Sequence, residues 1–127
     1  MLPRQARMRR SEDFRRTVRH GVRAGRSTLV VHAWRPAVAA GSAPTAAEVG
    51  SVTATVGFVV SRAVGAAVCR NRVKRRLRHL ARRRLGDLPV DTRVVVRALA
   101  PAATAGAGLE IDLDAAWTAA LAKLAHR

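Results

Sequence analysis

The chain has 127 residues, of which 24 are Lys or Arg and 8 are Asp or Glu, so its formal net charge is +16. This length fits one domain with one hydrophobic core, and this charge predicts a phosphate-rich partner. The single cysteine, Cys69, excludes an intrachain disulfide, and no apolar run reaches the length of a membrane-spanning helix.

Residues 1–10 are predicted to be a mobile basic arm, because they include four Arg and one Pro. The apolar core of a signal peptide is missing from this end of the chain, so we expect a soluble, cytoplasmic protein without membrane contacts. We treat 1–127 as a single domain that includes the arm.

A short helix is predicted after the arm. Ser11 has the residue type of an N-cap, and Gly21 follows the last helical residue, His20, as a glycine at a helix end often does. Phe14 and Val18 lie one turn apart on one face of this helix. Without further information, Phe14 in this position is typical of a core anchor.

The next segments read as strands separated by a loop. Residues 27–34 are β-branched and apolar and predict a strand that contains His32, and a lone His in a strand is more often structural than a ligand. Residues 36–51 are rich in Ala, Gly, Ser and Pro, which predicts a flexible insertion without a function of its own. Residues 52–61 predict a second strand system, which Gly57 divides into two strands.

The stretch 59–84 runs from the end of this strand system, through a turn of small residues, into a basic amphipathic helix. Its apolar positions recur with a 3.6-residue period, at Val73, Leu77, Leu80, Ala81 and Leu85. The other side is basic, with Arg72, Arg75, Arg76, Arg78, Arg82 and Arg83. A solvated helix face normally mixes both signs, yet no carboxylate occurs between Ser61 and Gly86. This pattern favours binding to nucleic acid over an ordinary solvated face.

Gly86 and Pro89 are expected to end the basic helix. A strand is predicted within 91–99, and Asp112 or Asp114 is expected to cap a last helix that extends to about His126. One face of that helix contains Leu113, Trp117, Leu121 and Leu124. The predicted order is α-β-β-β-α-β-α, an α+β sandwich with helices on a mixed four-stranded sheet.

Residues for catalysis by the protein itself are not evident. The carboxylates are scattered over helix starts, turns and loops, so no cluster could hold two metal ions. The histidines, which show no metal-ligand spacing, are His20, His32, His79 and His126. We therefore predict neither a catalytic nor a metal site in the chain, and expect it to take part in catalysis only by binding and orienting a substrate.

Residues 68–78, VCRNRVKRRLR, closely resemble the RNR signature of the bacterial ribonuclease P protein subunit family. Three further segments resemble the same family in the same order: SEDFRRTVRHG at 11–21, GFVVSRAVGAAV at 57–68 and DTRVVVRALA at 91–100. The resemblance covers roughly residues 9–99. It implies the ribonuclease P protein-like fold, similar to ribosomal protein S5 domain 2, with a left-handed βαβ crossover, whereas general handedness rules alone would predict a right-handed one.

The resemblance also implies a function. In this family one protein joins a catalytic RNA, and the RNA cleaves precursor tRNA to form the mature 5′ end, using magnesium ions held mainly by RNA phosphates. The expected partners are the ribonuclease P RNA and precursor tRNA. The protein itself is expected to bind no cofactor.

Site residues follow from the resemblance by matching position. The expected RNA contacts are Arg62, Arg70, Asn71, Arg72, Lys74, Arg75 and Arg78. The cleft for the single-stranded 5′ leader of the precursor is expected to include Phe14, Val18 and His32. The resemblance therefore favours a cleft position for Phe14 over the role of core anchor. The chain departs from the family at Ala63, Ala66, Val18 and His32, where basic, Asn or aromatic residues are common. These changes leave the cleft poorer in stacking rings and hydrogen-bond donors.

Two other classes remain possible from the sequence. A non-catalytic RNA-binding module, such as a ribosomal protein or RNA chaperone, would explain the charge and size but not the ordered set of motifs. A DNA-binding helix-turn-helix would need a second helix just before the basic one, and a strand is predicted there instead.

Overall fold

The computed structural model describes residue 2, residues 4–36 and residues 54–126. The insertion that we predict at 36–51 lies outside the described residues except for Pro36. The first two residues of the predicted strand system at 52–61 lie outside them as well.

The described residues contain three α-helices and four strands. In chain order they are α1 (Ser11–His20), β1 (Val22–Gly25), β2 (Leu29–Trp34), β3 (Thr55–Val60), α2 (Ala67–Arg82), β4 (Arg93–Ala98) and α3 (Gly108–Ala125). The strands form one sheet in the order β1-β2-β4-β3. Pairing is antiparallel except between β3 and β4, which are parallel neighbours joined by α2. The predicted α+β fold with a mixed four-stranded sheet is confirmed.

The assignment of the strands differs from the prediction in one respect. Gly57 does not divide its segment, because β3 runs without a break from Thr55 to Val60. The additional strand is β1, a four-residue edge strand in which only Ala24 is buried. So short a strand, with an exposed Arg and an exposed Gly, gives too little alternation of apolar residues to be recognised.

One face of the sheet forms the hydrophobic core with α2 and α3. Alternate residues of β3 and β4 point into it, because side chains along a strand alternate between the two faces. The buried core residues include Val56, Phe58, Val94, Val96, Leu113 and Trp117. The predicted apolar stripe of α2 is confirmed at Val73, Leu77, Leu80 and Ala81. Three predicted apolar residues are only partly buried against this core, namely Leu85, Leu121 and Leu124.

Helix α1 lies on the opposite face of the sheet. A guanidinium nitrogen of Arg93 in β4 lies 2.9 Å from a carboxylate oxygen of Asp13. Thr17, a residue of this helix, is fully buried. A Cβ at Gly21 would lie 2.6 Å from the carbonyl oxygen of Ala33. Glycine is therefore needed at the end of α1 because the chain passes close to the backbone of β2, and its φ of −80° is not left-handed.

Two predicted helix boundaries are shifted. Ser11 is the first residue of α1, and Arg10 is the N-cap without a side-chain hydrogen bond. The α2 helix ends at Arg82, ahead of Gly86, which lies in a separate 3₁₀ turn at Leu85–Asp87.

The predicted caps of the last helix are wrong, because α3 begins at Gly108 and contains both aspartates. Asp112 instead accepts hydrogen bonds from the backbone N–H of Thr28 at 3.1 Å and from its hydroxyl at 2.6 Å. These bonds lower the pKa of Asp112. Asp114 forms an ion pair with Arg84 at the end of the α2 region. Both aspartates therefore tie α3 to other elements of the fold.

The N-terminal segment, defined here as residues 2 and 4–10, lies along the outer edge of β3. Leu2 is 2 % exposed and belongs to the core. The backbone N–H of Met8 donates to the carbonyl oxygen of Val56 at 3.0 Å. Arg7 forms a parallel bridge with Val56, and its Nε donates to the carbonyl oxygen of Leu2 at 3.2 Å. The structure therefore differs from the predicted mobile arm, because apolar residues and backbone pairing hold this basic segment on the sheet.

Candidate nucleic-acid interface

The solvent-facing side of α2 is strongly basic. The helix contains no acidic residue, and its apolar stripe faces the core. Within the described part of the chain, none of its cations lies within ion-pair distance of a carboxylate; they are Arg70, Arg72, Lys74, Arg75, Arg76, Arg78 and Arg82. Ion pairs begin only beyond the helix, where Arg83 and Arg84 contact Glu110 and Asp114 of α3. Repulsion among the unpaired cations favours a polyanionic partner on this face.

The structure divides the predicted RNA-contact residues into groups. Asn71, Arg72 and Arg75 are exposed on the outer side of α2. Lys74 and Arg78 are half-buried on the flank that faces β3. The predicted contact surface therefore has an open outer part and a flank that borders a cleft.

The two remaining predicted contacts lie near the start of α2. Arg62 is exposed in a 3₁₀ turn at Arg62–Val64. Arg70 is half-buried, and its Nε is shielded from solvent and has no hydrogen-bond partner within residues 2, 4–36 and 54–126. Between them, Gly65 has a φ of +147°, a conformation that strongly favours glycine. Ala66 is the N-cap of α2 and makes no side-chain hydrogen bond. An Asn, which is common in the family at this position, could cap the helix with its side chain, and Ala66 cannot.

A cleft of about 270 Å³ opens beside this flank. Three parts of the chain line it: the N-terminal segment, Phe14 of α1 with the facing stretch of β3, and the inner flank of α2. Of the described residues that line the cleft, four are basic and none is acidic, and the basic ones are Arg7, Arg9, Lys74 and Arg78. An aromatic ring beside several cations can stack a base and bind the adjoining phosphates.

The residues predicted for the leader cleft do not all line this space. Phe14 lines it, but Val18 is 41 % exposed and lies with Phe14, Arg15 and Arg19 in a shallow depression on the outer side of α1. His32 is 4 % exposed in β2, and neither ring nitrogen has a hydrogen-bond partner among the described residues. Their roles in leader binding stay predictions.

His32 lies in an unusual setting for an imidazole. The strand register places it directly opposite Arg23 on one side and Val95 on the other. Burial lowers the pKa of His32, and the charges of Arg23 and Arg97 lower it further. Loss of solvation and nearby positive charge both oppose protonation, so the neutral form is favoured.

Sequence reasoning missed the group that positions α1. The rings of Trp34 and His20 are 5.4 Å apart between centroids. The guanidinium of Arg93 lies 5.8 Å from the centroid of the Trp34 ring and also pairs with Asp13. Trp34 and Arg93 are register partners in β2 and β4, a relationship that cannot be recognised before the strand pairing is known. This group holds the helix that presents Phe14.

The described residues form neither a metal-binding cluster nor a membrane-spanning helix. No three His, Cys, Asp or Glu residues among 2, 4–36 and 54–126 lie close enough together to hold a metal ion. The described helices are too short or too polar to cross a membrane.

Comparison with known proteins gives a consistent result. The family model described as ribonuclease P matches residues 2–121. The chain belongs to the ribonuclease P protein family. It is 49 % identical over 134 residues to the ribonuclease P protein component of Salinispora tropica, with 100 % of this chain and 98 % of that protein covered. It is 53 % identical over 117 residues to that of Streptomyces avermitilis, covering 91 % and 92 %.

Solved structures of ribonuclease P proteins share the fold. The Staphylococcus aureus protein superposes with a TM-score of 0.71 at 22 % identity, covering 94 % of this chain and 96 % of that one. The Thermotoga maritima protein gives a TM-score of 0.63 at 23 % identity, covering 86 % and 92 %. The resemblance stated for residues 9–99 is thus confirmed as family membership, and it extends through most of α3.

Proposed function

We propose that this chain is the protein subunit of a bacterial ribonuclease P ribonucleoprotein, which removes the 5′ leader of precursor tRNA in the cytoplasm. One copy of the chain binds the catalytic RNA through α2 and binds the leader beside Phe14. The observation that supports this most directly is the outer face of α2, where Arg72, Arg75 and their neighbours have no carboxylate partner among the described residues. The reaction, cleavage of precursor tRNA, is inferred from membership of the ribonuclease P protein family.

Binding to the catalytic RNA is proposed to be largely electrostatic. Each Arg that contacts a phosphate releases condensed counterions from the RNA, which favours association. Arg side chains can form two parallel hydrogen bonds to one phosphate, and Asn71 can both donate and accept hydrogen bonds beside them. Exposure of Asn71, Arg72 and Arg75 on one side of a rigid helix allows all three to reach the same RNA surface.

The leader is proposed to lie against Phe14 and the adjoining cations. A single-stranded leader offers unstacked bases and a continuous phosphate backbone. In this proposal the Phe14 ring stacks on one base, and Lys74 and Arg78, which line the same cleft, contact the adjoining phosphates. Mature tRNA lacks the leader, so these contacts favour the precursor.

Hydrolysis itself is assigned to the RNA partner. Among the described residues, no three His, Cys, Asp or Glu side chains lie close enough together to hold a metal ion, so the chain offers no full set of ligands there for magnesium. In this proposal the magnesium ions are bound by RNA phosphates. The chain's own residues neutralise repulsion between RNA segments and orient the precursor, which lowers the magnesium concentration that the RNA needs.

The proposal is tested by reconstitution. The purified chain is mixed with a bacterial ribonuclease P RNA, and cleavage of precursor tRNA is measured across a magnesium series. We expect cleavage at a lower magnesium concentration with the chain than without it, and no cleavage by the chain alone. Unchanged magnesium dependence would contradict the proposal, and site-specific cleavage by RNA-free protein would show that catalysis was assigned to the wrong partner.

A further inference from the structure

We infer that the N-terminal segment completes a phosphodiester-binding site at the edge of β3, in which Arg7 and Arg9 act together with Lys74 and Arg78. The inference rests on the proposed function and adds residues to it that the sequence motifs do not include. The N-terminal segment becomes part of the RNA-binding surface, where its sequence alone indicates only a basic arm.

Local contacts hold the two N-terminal arginines at the cleft. The backbone of Met8, which lies between them, donates to Val56 at 3.0 Å. Arg7 is half-buried, and its Nε donates to the carbonyl oxygen of Leu2, which is itself buried in the core. These contacts leave the terminal nitrogens of the Arg7 guanidinium available to a ligand. An arginine held in place before binding loses less conformational entropy when it contacts a phosphate.

Charge favours an anion at this place. Four cations line one cleft of about 270 Å³, no acidic side chain lines it, and none of the four has an ion pair among residues 2, 4–36 and 54–126. Like charges that converge without a counter-charge repel one another until an anion binds between them. A phosphodiester suits the site because three of the four side chains are Arg, whose planar N–H groups match phosphate oxygens.

Two RNA molecules could supply the phosphodiester. The outer face of α2 is continuous with the flank that bears Lys74 and Arg78, so the catalytic RNA could extend into the cleft. Phe14 lines the same cleft, so the phosphate adjoining a stacked leader base could occupy it as well. The chemistry of recognition is the same, and the measurements below distinguish the two sources.

The test compares two double variants with the same change in charge. Arg7→Ala/Arg9→Ala removes the cleft arginines. Arg4→Ala/Arg10→Ala removes two exposed arginines of the same segment that do not line the cleft. For each variant we would measure the affinity for the catalytic RNA, the affinity of the reconstituted holoenzyme for precursor and mature tRNA, and the thermal melt of the protein.

We expect the cleft variant to bind about tenfold more weakly than the matched variant, as loss of a charge-assisted hydrogen bond predicts. A loss in affinity for the catalytic RNA identifies that RNA as the source of the phosphodiester. A loss for precursor but not mature tRNA identifies the leader. Equal losses in the two double variants would overturn the inference, because long-range charge alone would then explain them.

Two controls keep the result decisive. Arg9 is exposed, and its side chain makes no hydrogen bond to the described residues. If the cleft double variant has a lowered melting temperature, the comparison is therefore repeated with the single variants Arg9→Ala and Arg10→Ala. The unsubstituted protein is assayed beside them for its effect on the magnesium requirement. If that effect is present and the paired variants behave alike, this inference fails while the proposed function stands. If it is absent, the proposed function fails first.

Discussion

The ring of Phe14 lies directly on the backbone of Gly57. A Cβ at Gly57 would lie 2.5 Å from Cε1 of that ring and 3.0 Å from the Cβ of Met8. The glycine therefore makes room in β3 for the aromatic ring that α1 presents and for the N-terminal segment beside it. The position of Phe14, and with it one wall of the cleft, depends on the absence of a side chain at residue 57.

Gly57→Ala is expected to destabilise the protein by about 1–3 kcal/mol, the usual cost of overpacking a filled site. The ring of Phe14 must move to admit the methyl group, so the reconstituted holoenzyme should also lose part of its preference for precursor over mature tRNA. Urea denaturation and the two tRNA affinities measure these effects.

Gly86→Ala is the matched control for that substitution. Apart from its two chain neighbours, no described residue has a heavy atom within 4 Å of the position that its Cβ would occupy, and its φ is not left-handed. It should leave stability unchanged or raise it slightly, because alanine restricts the unfolded chain. A Gly57→Ala protein as stable as Gly86→Ala would show that Phe14 does not depend on the glycine.

The sequence predicts those parts of the fold that have a clear period or a specific motif. The stripe Val73, Leu77, Leu80 and Ala81 placed α2 on the core correctly, and the RNR motif led to the family. The role of Gly57 was misread as a strand break, because a glycine that admits a distant ring looks the same in sequence as one that ends a strand. The aspartates of α3 were misread as caps for a similar reason, since their partners are Thr28 and Arg84.

The candidate site was predicted in part. Lys74, Arg78 and Phe14 were named from the motifs, and the structure brings them to one cleft. Arg7 and Arg9 were missed, because charge alone suggested a mobile arm, and the burial of Leu2 and the pairing with Val56 depend on contacts distant in sequence.

Phe14→Ala separates the two roles that a half-buried phenylalanine can have. If the Phe14 ring lines a cleft and stacks on a leader base, its removal should weaken binding of precursor tRNA to the holoenzyme by about 1–3 kcal/mol, the typical contribution of one base stacked on an aromatic ring. Binding of mature tRNA should hardly change. The measurement is a pair of affinities, with and without a leader of several nucleotides, beside a thermal melt of the protein.

A core role for Phe14 predicts a different pattern. Removing a fully buried ring costs about 3–5 kcal/mol of stability and should affect both tRNA substrates equally. Arg72→Ala provides the contrast, because it should weaken assembly with the catalytic RNA with little discrimination between the substrates. Equal losses for precursor and mature tRNA in Phe14→Ala, with a large drop in melting temperature, would leave the leader site unlocated.

The salt dependence of RNA binding should identify the contact surface of α2. If Arg72 and Arg75 each contact a phosphate, Arg72→Ala/Arg75→Ala should reduce the slope of log K against log salt by about two units. Binding of the catalytic RNA would be measured by titration at several salt concentrations.

Arg83→Ala/Arg84→Ala is the control with the same change in charge. Both side chains already contact carboxylates, Glu110 and Asp114, so they release few counterions from RNA. This variant should keep most of the slope and affinity. An equal reduction in the two double variants would mean that net charge, and not the outer face of α2, determines binding.

The stability of the protein should depend on pH through His32. Burial and the charges of Arg23 and Arg97 hold its pKa below the ordinary value of 6.5, so the unfolded chain binds a proton more readily than the folded one. The free energy of unfolding should therefore be at its full value above about pH 6.5 and decrease as the pH falls below it, by at most about 1.4 kcal/mol per pH unit for one proton.

His32→Leu should remove this dependence. It should also raise the free energy of unfolding at neutral pH, because both ring nitrogens of His32 lack a hydrogen-bond partner in the part of the chain that the structure describes. Urea denaturation of the two proteins between pH 5 and 8 gives the difference, which should grow toward low pH as the unfolded chain of the original protein takes up its proton. His79→Gln replaces an exposed histidine of α2 and corrects for the loss of a histidine in itself. Curves for the original protein and His32→Leu that stay parallel over this range would show that His32 takes up a proton equally well in the folded and unfolded chains, despite its burial between two strands and two arginines.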